Sequence, residues 1–427
     1  MVNRVLVTSN KGSYAGWAQR EIPKHCPVEK RLVHLWRGLT TRKEKDELLH
    51  FLTSPDEDTL KILVMNVEAL SSKGKALDLC ENFLSKGKSM MIVDESTTIK
   101  NPSAQRTKNV MYLGKLAHYR RVLTGSPVTR SPLDLYSQMS FIVPGSVGSS
   151  YFSFRAKYAV MQKKNFGGRD IQIVVGYQNI DSLVEKIKPH MIRVKKEDCL
   201  DLPPKVFTQR DVELTEEQIK LYEDIKKSAY TLLDGQAEVS AMAVITQILR
   251  LHQICCGHLV DDVGNVHPIR NNRIQALMDV LEETEGSAII WTNYRYDVTA
   301  ICAELRRVYG HESVVQYDGS VNDDDRHAAI EKFQSNRARF FVGTVATGGY
   351  GITLTAASTV VYYSNSYDLE KRAQSEDRAH RIGQNKSVTY VDLVCPGTVD
   401  EKIIAALRQK INMASLLMGD GYKQWLI

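Results

Sequence analysis

Long hydrophobic runs are missing from this 427-residue chain. None approaches the roughly 18 to 20 apolar residues that a helix needs to cross a bilayer. The opening MVNRVLVTSNKG is one short apolar stretch that soon turns polar, so it reads as a strand and loop and not as a signal peptide. Cysteine is sparse and unpatterned. The seven residues at 26, 80, 199, 255, 256, 302 and 395 are odd in number and contain no Cys-x-x-Cys, which argues against a disulfide framework or a zinc ribbon. A cytoplasmic setting is expected, with no membrane partner and no secretion. Internal repeats and low-complexity tracts are also lacking. Nor does one sign of charge dominate: 56 Lys and Arg against 50 Asp and Glu give a net charge of +6 and a pI near 8.7. That balance is compatible with a polyanionic partner without requiring one.

What is present is a rhythm of short β-rich runs between amphipathic stretches. VLVTS at 5–9, KILVMN at 61–66, SMMIVDES at 89–96 and RRVLTGSP at 120–127 form one series; AIIWTNY at 288–294, SVVQYDG at 313–319, RFFVGTV at 339–345, TVVYYSN at 359–365 and VTYVDLV at 388–394 form another. Strands alternating with helices predict α/β lobes built on parallel sheets. Between the series, from Thr129 to roughly Ser287, helical periodicity dominates, as in TEEQIKLYEDIKKSAYTLL. The break Leu202-Pro203-Pro204 sets the expected domain boundary, with lobe one at 1–202 and lobe two at 203–427, each carrying part of the helical insertion. KKNFGGRD at 163–170 reads as a hairpin tip or turn.

Several strings carry chemistry. Asp94 and Glu95 follow an apolar strand at the edge where α/β sheets place ligands; one acid suits Mg2+ held through water, the other an attacking water. An isolated Asp-Glu pair can equally cap a helix. Thr124, Gly125 and Ser126 end a later apolar run and suit either a coupling element or a plain strand-to-helix turn. In Gln374-Ser-Glu-Asp-Arg378-Ala-His-Arg381-Ile-Gly-Gln384, helical spacing puts Gln374, Arg378 and Arg381 on one face, an arrangement fit to clamp phosphate or to be a solvated charged face. Gly343 to Ile352 follows a strand with glycines at 343, 348, 349 and 351, which permit close approach of backbone to phosphate. His252, Cys255, Cys256 and His258 are ligand types, but three of them fall within one helical turn, so no zinc is expected. Tyr14 and Trp17 are expected in a core rather than stacked on bases.

In order, these strings resemble the Swi/Snf-like branch of the superfamily-two helicases (DEAD/DEAH-like). Motif Ia corresponds to Val5–Glu21, motif II to Asp94-Glu95-Ser96-Thr97 with Ser-Thr where many relatives carry Ala-His, motif III to Leu123–Pro127, motif IV to the region of Trp291–Tyr294, motif V to Thr344–Thr355 and motif VI to Gln374–Gln384. The resemblance covers nearly the whole chain and implies an α/β fold of two RecA-like parallel-sheet lobes with helical insertions between them. It also implies an ATP- and Mg2+-dependent hydrolase that translocates on double-stranded DNA, remodelling DNA or protein–DNA complexes, cytoplasmic and associated with nucleoid or nucleus. By resemblance, Asp94 serves Mg2+ through water, Glu95 the attacking water, and Arg378 and Arg381 the transferred phosphoryl group. Gln374, Gly349 and Gly351 bind nucleotide, and Thr124, Gly125 and Ser126 couple the two activities. Thr8, Ser9, Lys11, Asn66, Asn293, Thr344 and Thr347 contact the DNA backbone without sequence specificity, with Ser71 beside Asn66.

The family's Gly-x-Gly-Lys-Thr loop precedes motif Ia, and only four residues do so here. Gly87-Lys88-Ser89 lacks the strand such a loop requires and reads as a turn. The first lobe is therefore expected to lack its phosphate-loop strand and to show unpaired strand edges. Three explanations stand open: a mis-called or truncated gene start, a separate N-terminal polypeptide supplying the Walker A motif in trans, or a decayed, ATPase-dead DNA-binding fragment.

Overall fold

Parallel strands define both halves of the protein, and those at the centre of each sheet are buried along most of their length. A computed structural model describes residues 2–38, 41–55, 58–166, 169–194, 196–234, 241–348 and 352–417. The chain separates into two units, the first containing Met1–Gln162, Val174–Ile192 and the segment from Asn412, the second Lys163–Ile173 and Arg193–Ile411. The long second-unit segment thus begins at Arg193, ahead of the Leu202-Pro203-Pro204 break.

The first unit holds strands β1 (Arg4–Ser9), β2 (Arg31–Trp36), β3 (Leu60–Asn66), β4 (Ser89–Val93) and β5 (Tyr119–Val122) in one sheet of order β2-β3-β1-β4-β5. All four pairings are parallel. Strand β1 is central because Leu6, Val7, Thr8 and Ser9 are all buried, as a strand covered on both faces must be. One face packs Leu6, Leu63, Met65, Met91 and Val93 beneath the helices Lys75–Ser85 and Gln105–Leu116; the other packs Val7, Ile62 and Val64 under Ile22. The expected gap is not inside this sheet, which runs unbroken from β2 to β5. Its outer edges are β2 and β5, neither of which pairs with a further strand among the described residues, and the edge nearer Asp94 is that of β5. Tyr119 and the following Leu123 are about two-fifths exposed there.

A hairpin of β6 (Ala159–Phe166) and β7 (Arg169–Tyr177) follows, with Gly167 and Gly168 of the expected tip outside the described residues. The second unit contains β8 (Lys205–Asp211), a small hairpin of β9 (His258–Val260) and β10 (Val266–Pro268), and then β11 (Ser287–Thr292), β12 (Val314–Tyr317), β13 (Phe340–Thr344), β14 (Ala357–Tyr362) and β15 (Val388–Val394). Its six-stranded sheet has the order β12-β13-β11-β14-β15-β8 and is parallel throughout. Strand β11, buried at every position, is the spine. The helix-dominated reading of 129–287 thus needs correction: β8 lies within it and completes the second sheet. Val206, Phe207, Thr208 and Gln209 of β8 are all exposed, so its order comes from pairing with β15 and from stacking of Phe207 on Tyr390, not from an apolar run.

Candidate nucleotide and DNA sites

Strand β4 delivers Asp94 to the carboxyl edge of the first sheet, where the backbone N–H of Asp94 donates to the Thr8 carbonyl at 2.8 Å. The Asp94 carboxylate is fixed asymmetrically. Its Oδ2 accepts from Ser9 Oγ and from Trp17 Nε1, each at 2.8 Å, whereas Oδ1 has no protein hydrogen bond among the described residues. One oxygen pinned and one turned free suits a carboxylate that holds a hydrated Mg2+. Next to it, Glu95 adopts φ +48° and ψ +58°, a left-handed conformation that costs a non-glycine residue about 1–2 kcal/mol. Strain of that kind persists where the surroundings over-determine it; here Ser96 N donates to the Leu123 carbonyl and Leu123 N to that of Val93.

These contacts revise two expected DNA contacts and give one expected core residue a further role. Thr8 is wholly buried, its hydroxyl directed at the Ile92 carbonyl. Ser9 is equally buried and acts on Asp94. Neither is open to a phosphate backbone, because alternation along a buried central strand aims both into the sheet layers. Trp17 is half-buried and packs against the Val7 cluster, but its indole N–H makes it a positioning residue for the acid as well. Nothing in the sequence alone links Trp17 to Asp94, 77 positions away. Of the other first-unit candidates, Lys11 is exposed in the turn after β1. Asn66 spends its side-chain oxygen on Ala69 N at 2.8 Å as a helix cap, and Ser71 accepts from Arg106. In the turn after β5, Ser126 N donates to Thr124 Oγ1 and Ser126 Oγ to the Val128 carbonyl, while Gly125 is exposed with open space around it.

The second unit gathers the guanidiniums. The helix Leu369–Ala379 starts on an Asp368 cap, whose carboxylate accepts from Glu370 N and Lys371 N. It carries Gln374 and Arg378 but stops before Arg381, so the shared helical face expected for all three is corrected. The chain leaves the helix through His380 and reaches Gly383 at φ +97°; Gln384 Nε2 locks the exit by donating to Thr355, Ala357 and Ala379 carbonyls. Arg378 and Arg381 are nevertheless brought together, because Nη1 of each donates to the Ile352 carbonyl at 3.2 Å. Arg378 Nε also holds the Gln374 carbonyl. The Gln374 Oε1 atom is buried with no hydrogen-bond partner among the described residues, the condition of a group that a ligand donor would satisfy.

The glycines upstream divide. Gly349 and Gly351 lie outside the described residues. A Cβ at Gly348 would sit 2.2 Å from Trp291 Cη2, and one at Gly343 would sit 2.5 Å from the Tyr317 carbonyl oxygen, so these two are glycine for packing around a buried indole. Thr344 is buried and donates to Thr347 Oγ1, which removes Thr344 as a direct DNA contact; Thr347 is half-exposed. Asn293 is exposed at the end of β11, its backbone N–H fixed by Ser364 Oγ, which also contacts Thr292 Oγ1.

The ligand-type residues of the helix Ala241–Cys256 and its neighbours are otherwise occupied. Cys255, Cys395 and Asp400 offer ligand atoms within 4.8 Å of one another, but a cation already stands there. Fully buried Arg273 donates to Asp400 Oδ2 at 2.8 Å, to Cys395 Sγ and to the carbonyls of Tyr363, Cys255 and Leu393. His252 turns Nδ1 to the Tyr294 hydroxyl, and His258 faces Asp297. Burial holds His252 below the ordinary imidazole range, outweighing Asp400 nearby. The unfolded chain therefore takes up a proton near pH 6.5 that the folded chain refuses, and stability falls as the pH drops below about 6.5. We expect thermal melts at pH 7.5, 6.5 and 5.5 to show this decline, and the slope to be shallower in His252→Gln.

The SNF2-related domain matches residues 2–259, and the helicase conserved C-terminal domain matches residues 272–383. The chain belongs to the SNF2-related family. Its two all-parallel sheets are the RecA-like lobes of these ATP-dependent helicases and translocases. Among curated relatives, human TATA-binding protein-associated factor 172 is 26% identical over 381 residues, covering 77% of this chain and 20% of that protein. The uncharacterized ATP-dependent helicase MG018 of Mycoplasma genitalium is 27% identical over 325 residues, covering 75% of this chain and 30% of that protein. This SNF2-family chain thus spans less than a third of either relative. A solved Sulfolobus solfataricus SWI2/SNF2 ATPase core in complex with dsDNA is 25% identical, with 98% of this chain and 83% of that chain covered at a TM-score of 0.42. No helix among the described residues is long and apolar enough to cross a membrane.

Proposed function

We propose that this SNF2-family chain is the motor portion of an ATP-driven translocase on double-stranded DNA. The observation that carries the reading is the Asp94 carboxylate, with Oδ2 held by Ser9 and Trp17 and Oδ1 free at the carboxyl end of a parallel strand. Asp94 would hold Mg2+ through water, and the ion would neutralise charge on the polyphosphate. Glu95 orients or deprotonates the attacking water. Arg378, Arg381 and Gln374 supply donors for the charge that develops on the transferred phosphoryl group. Lys11, Asn293 and Thr347 remain as backbone contacts to DNA, a mode of binding indifferent to sequence and weakened by salt.

The β- and γ-phosphates need a cradle of backbone N–H groups beside these acids, and the outer edge of β5 pairs with no strand among the described residues. A strand added parallel to β5 would end on the same side as Asp94 and Thr124, and its following loop would provide that cradle. We therefore place the phosphate-binding loop on such a strand, in the same polypeptide or supplied by another. The function is tested by displacement of a third strand from a DNA triplex by the full protein. The expected result is displacement that requires hydrolysable ATP, proceeds without separation of the underlying duplex and weakens from 50 to 200 mM salt. Displacement equally fast with a non-hydrolysable analogue, or none with ATP, would overturn it.

A further inference from the structure

Hydrolysis and the turn after β5 are joined by a residue that no motif includes. Ser96 is wholly buried, and its hydroxyl donates to Gln138 Oε1 at 2.6 Å. Gln138, on the helix Leu135–Ile142, is 1% exposed and uses both protons of its amide: Nε2 donates to the Pro127 carbonyl at 2.7 Å and to the Asp134 carbonyl at 2.9 Å. One side chain therefore bridges the segment bearing Asp94 and Glu95 to the segment bearing Thr124–Pro127. Asp134 braces the far side, its Oδ2 accepting from the backbone N–H of Thr129 and Arg130, and Lys100 Nζ donates to Thr129 Oγ1. By contrast, the side-chain bonds of Thr124 and Ser126 close within their own turn.

A buried primary amide is costly unless every polar atom finds a partner, and an apolar side chain of similar volume would fit this helix face, which also buries Leu135, Met139 and Phe141. Here the partners come from two different functional segments. We infer that Gln138 is a positioning residue that transmits shifts at Asp94–Thr97 to the Thr124–Pro127 turn, rigidly, because its three bonds are short and dry. The inference rests on reading Asp94 and Glu95 as the hydrolytic acids.

The test compares Gln138→Leu, Ser96→Ala, Gln138→Glu and the Ser96→Ala/Gln138→Leu pair in the full protein, by DNA-stimulated ATP turnover and by amide exchange. Loss of the bridge should lower kcat about tenfold while KM for ATP stays within about twofold. The double variant should be no slower than Gln138→Leu, since both changes cut one path. Gln138→Glu keeps the acceptor for Ser96 but sets a carboxylate against two carbonyls, so exchange should rise at Thr124–Val128 and not at Asp94–Thr97. In Ser96→Ala the amides of Thr124–Val128 should exchange faster although the change lies on the other segment. Additive kcat losses, a KM rise with kcat unchanged, or unaltered exchange at Thr124–Val128 in Ser96→Ala would overturn the inference. A wild type that releases no phosphate from ATP would remove the hydrolytic reading; the exchange comparison still decides the coupling, since it needs no turnover.

Discussion

Arg381→Ala is expected to lower ATP turnover by about a thousandfold or more while leaving DNA affinity near that of the wild type, the size of effect associated with a guanidinium that meets transition-state charge. The structure explains why Arg381 is the cleaner of the two probes. Its Nη1 rests on the Ile352 carbonyl, beyond the last residue of the helix Leu369–Ala379. Arg378 shares that carbonyl but also holds the Gln374 carbonyl through Nε. Arg378→Ala should therefore lose both turnover and some local order, seen as a lower melting temperature that Arg381→Ala does not share. Arg381→Lys should recover little, because an ammonium cannot reproduce a planar fork of donors. Rates above a tenth of wild type in Arg381→Ala would remove this residue from the hydrolytic chemistry.

Arg273→Met destabilises the second unit by about 3–5 kcal/mol, the usual cost of removing one partner of a buried ion pair. The guanidinium makes five bonds with 1% of its surface exposed, and Asp400 beside it is almost as buried. Burial alone pushes the Asp400 carboxyl up, but Arg273, then His252 and the Cys395 N–H, hold it below the ordinary range. Without Arg273 a buried carboxylate and three carbonyls lose their donor together. Chemical denaturation followed by circular dichroism measures the loss, and Arg273→Met/Asp400→Leu should regain part of it, since the orphaned charge is then gone. A loss under about 1 kcal/mol for the single variant would show that the pair adds nothing to folding.

The sequence already exposes Asp94, Glu95, Gln374, Arg378 and Arg381, because each sits in a short string whose neighbours constrain it. Residues whose roles depend on distant partners are invisible there. Gln138 meets Ser96 across 42 positions, Trp17 meets Asp94 across 77, and Arg273 joins residues near 255, 363, 393 and 400. Helical spacing misplaced Arg381, since the turn at Gly383 ends the helix early yet a shared carbonyl reunites the two arginines. Gly343 and Gly348 look like phosphate-loop glycines in sequence and prove to make room for Trp291. Strand β8 escaped because its exposed face carries no apolar alternation, and its place is set by β15 alone.

The account's central claim is that Asp94 and Glu95 are the hydrolytic acids. Phosphate release from ATP by the full protein with duplex DNA tests it most directly, comparing the wild type with Glu95→Gln and Asp94→Asn. The account predicts DNA-stimulated release from the wild type and a loss of at least about a hundredfold in each variant. Undiminished release by Glu95→Gln would contradict it.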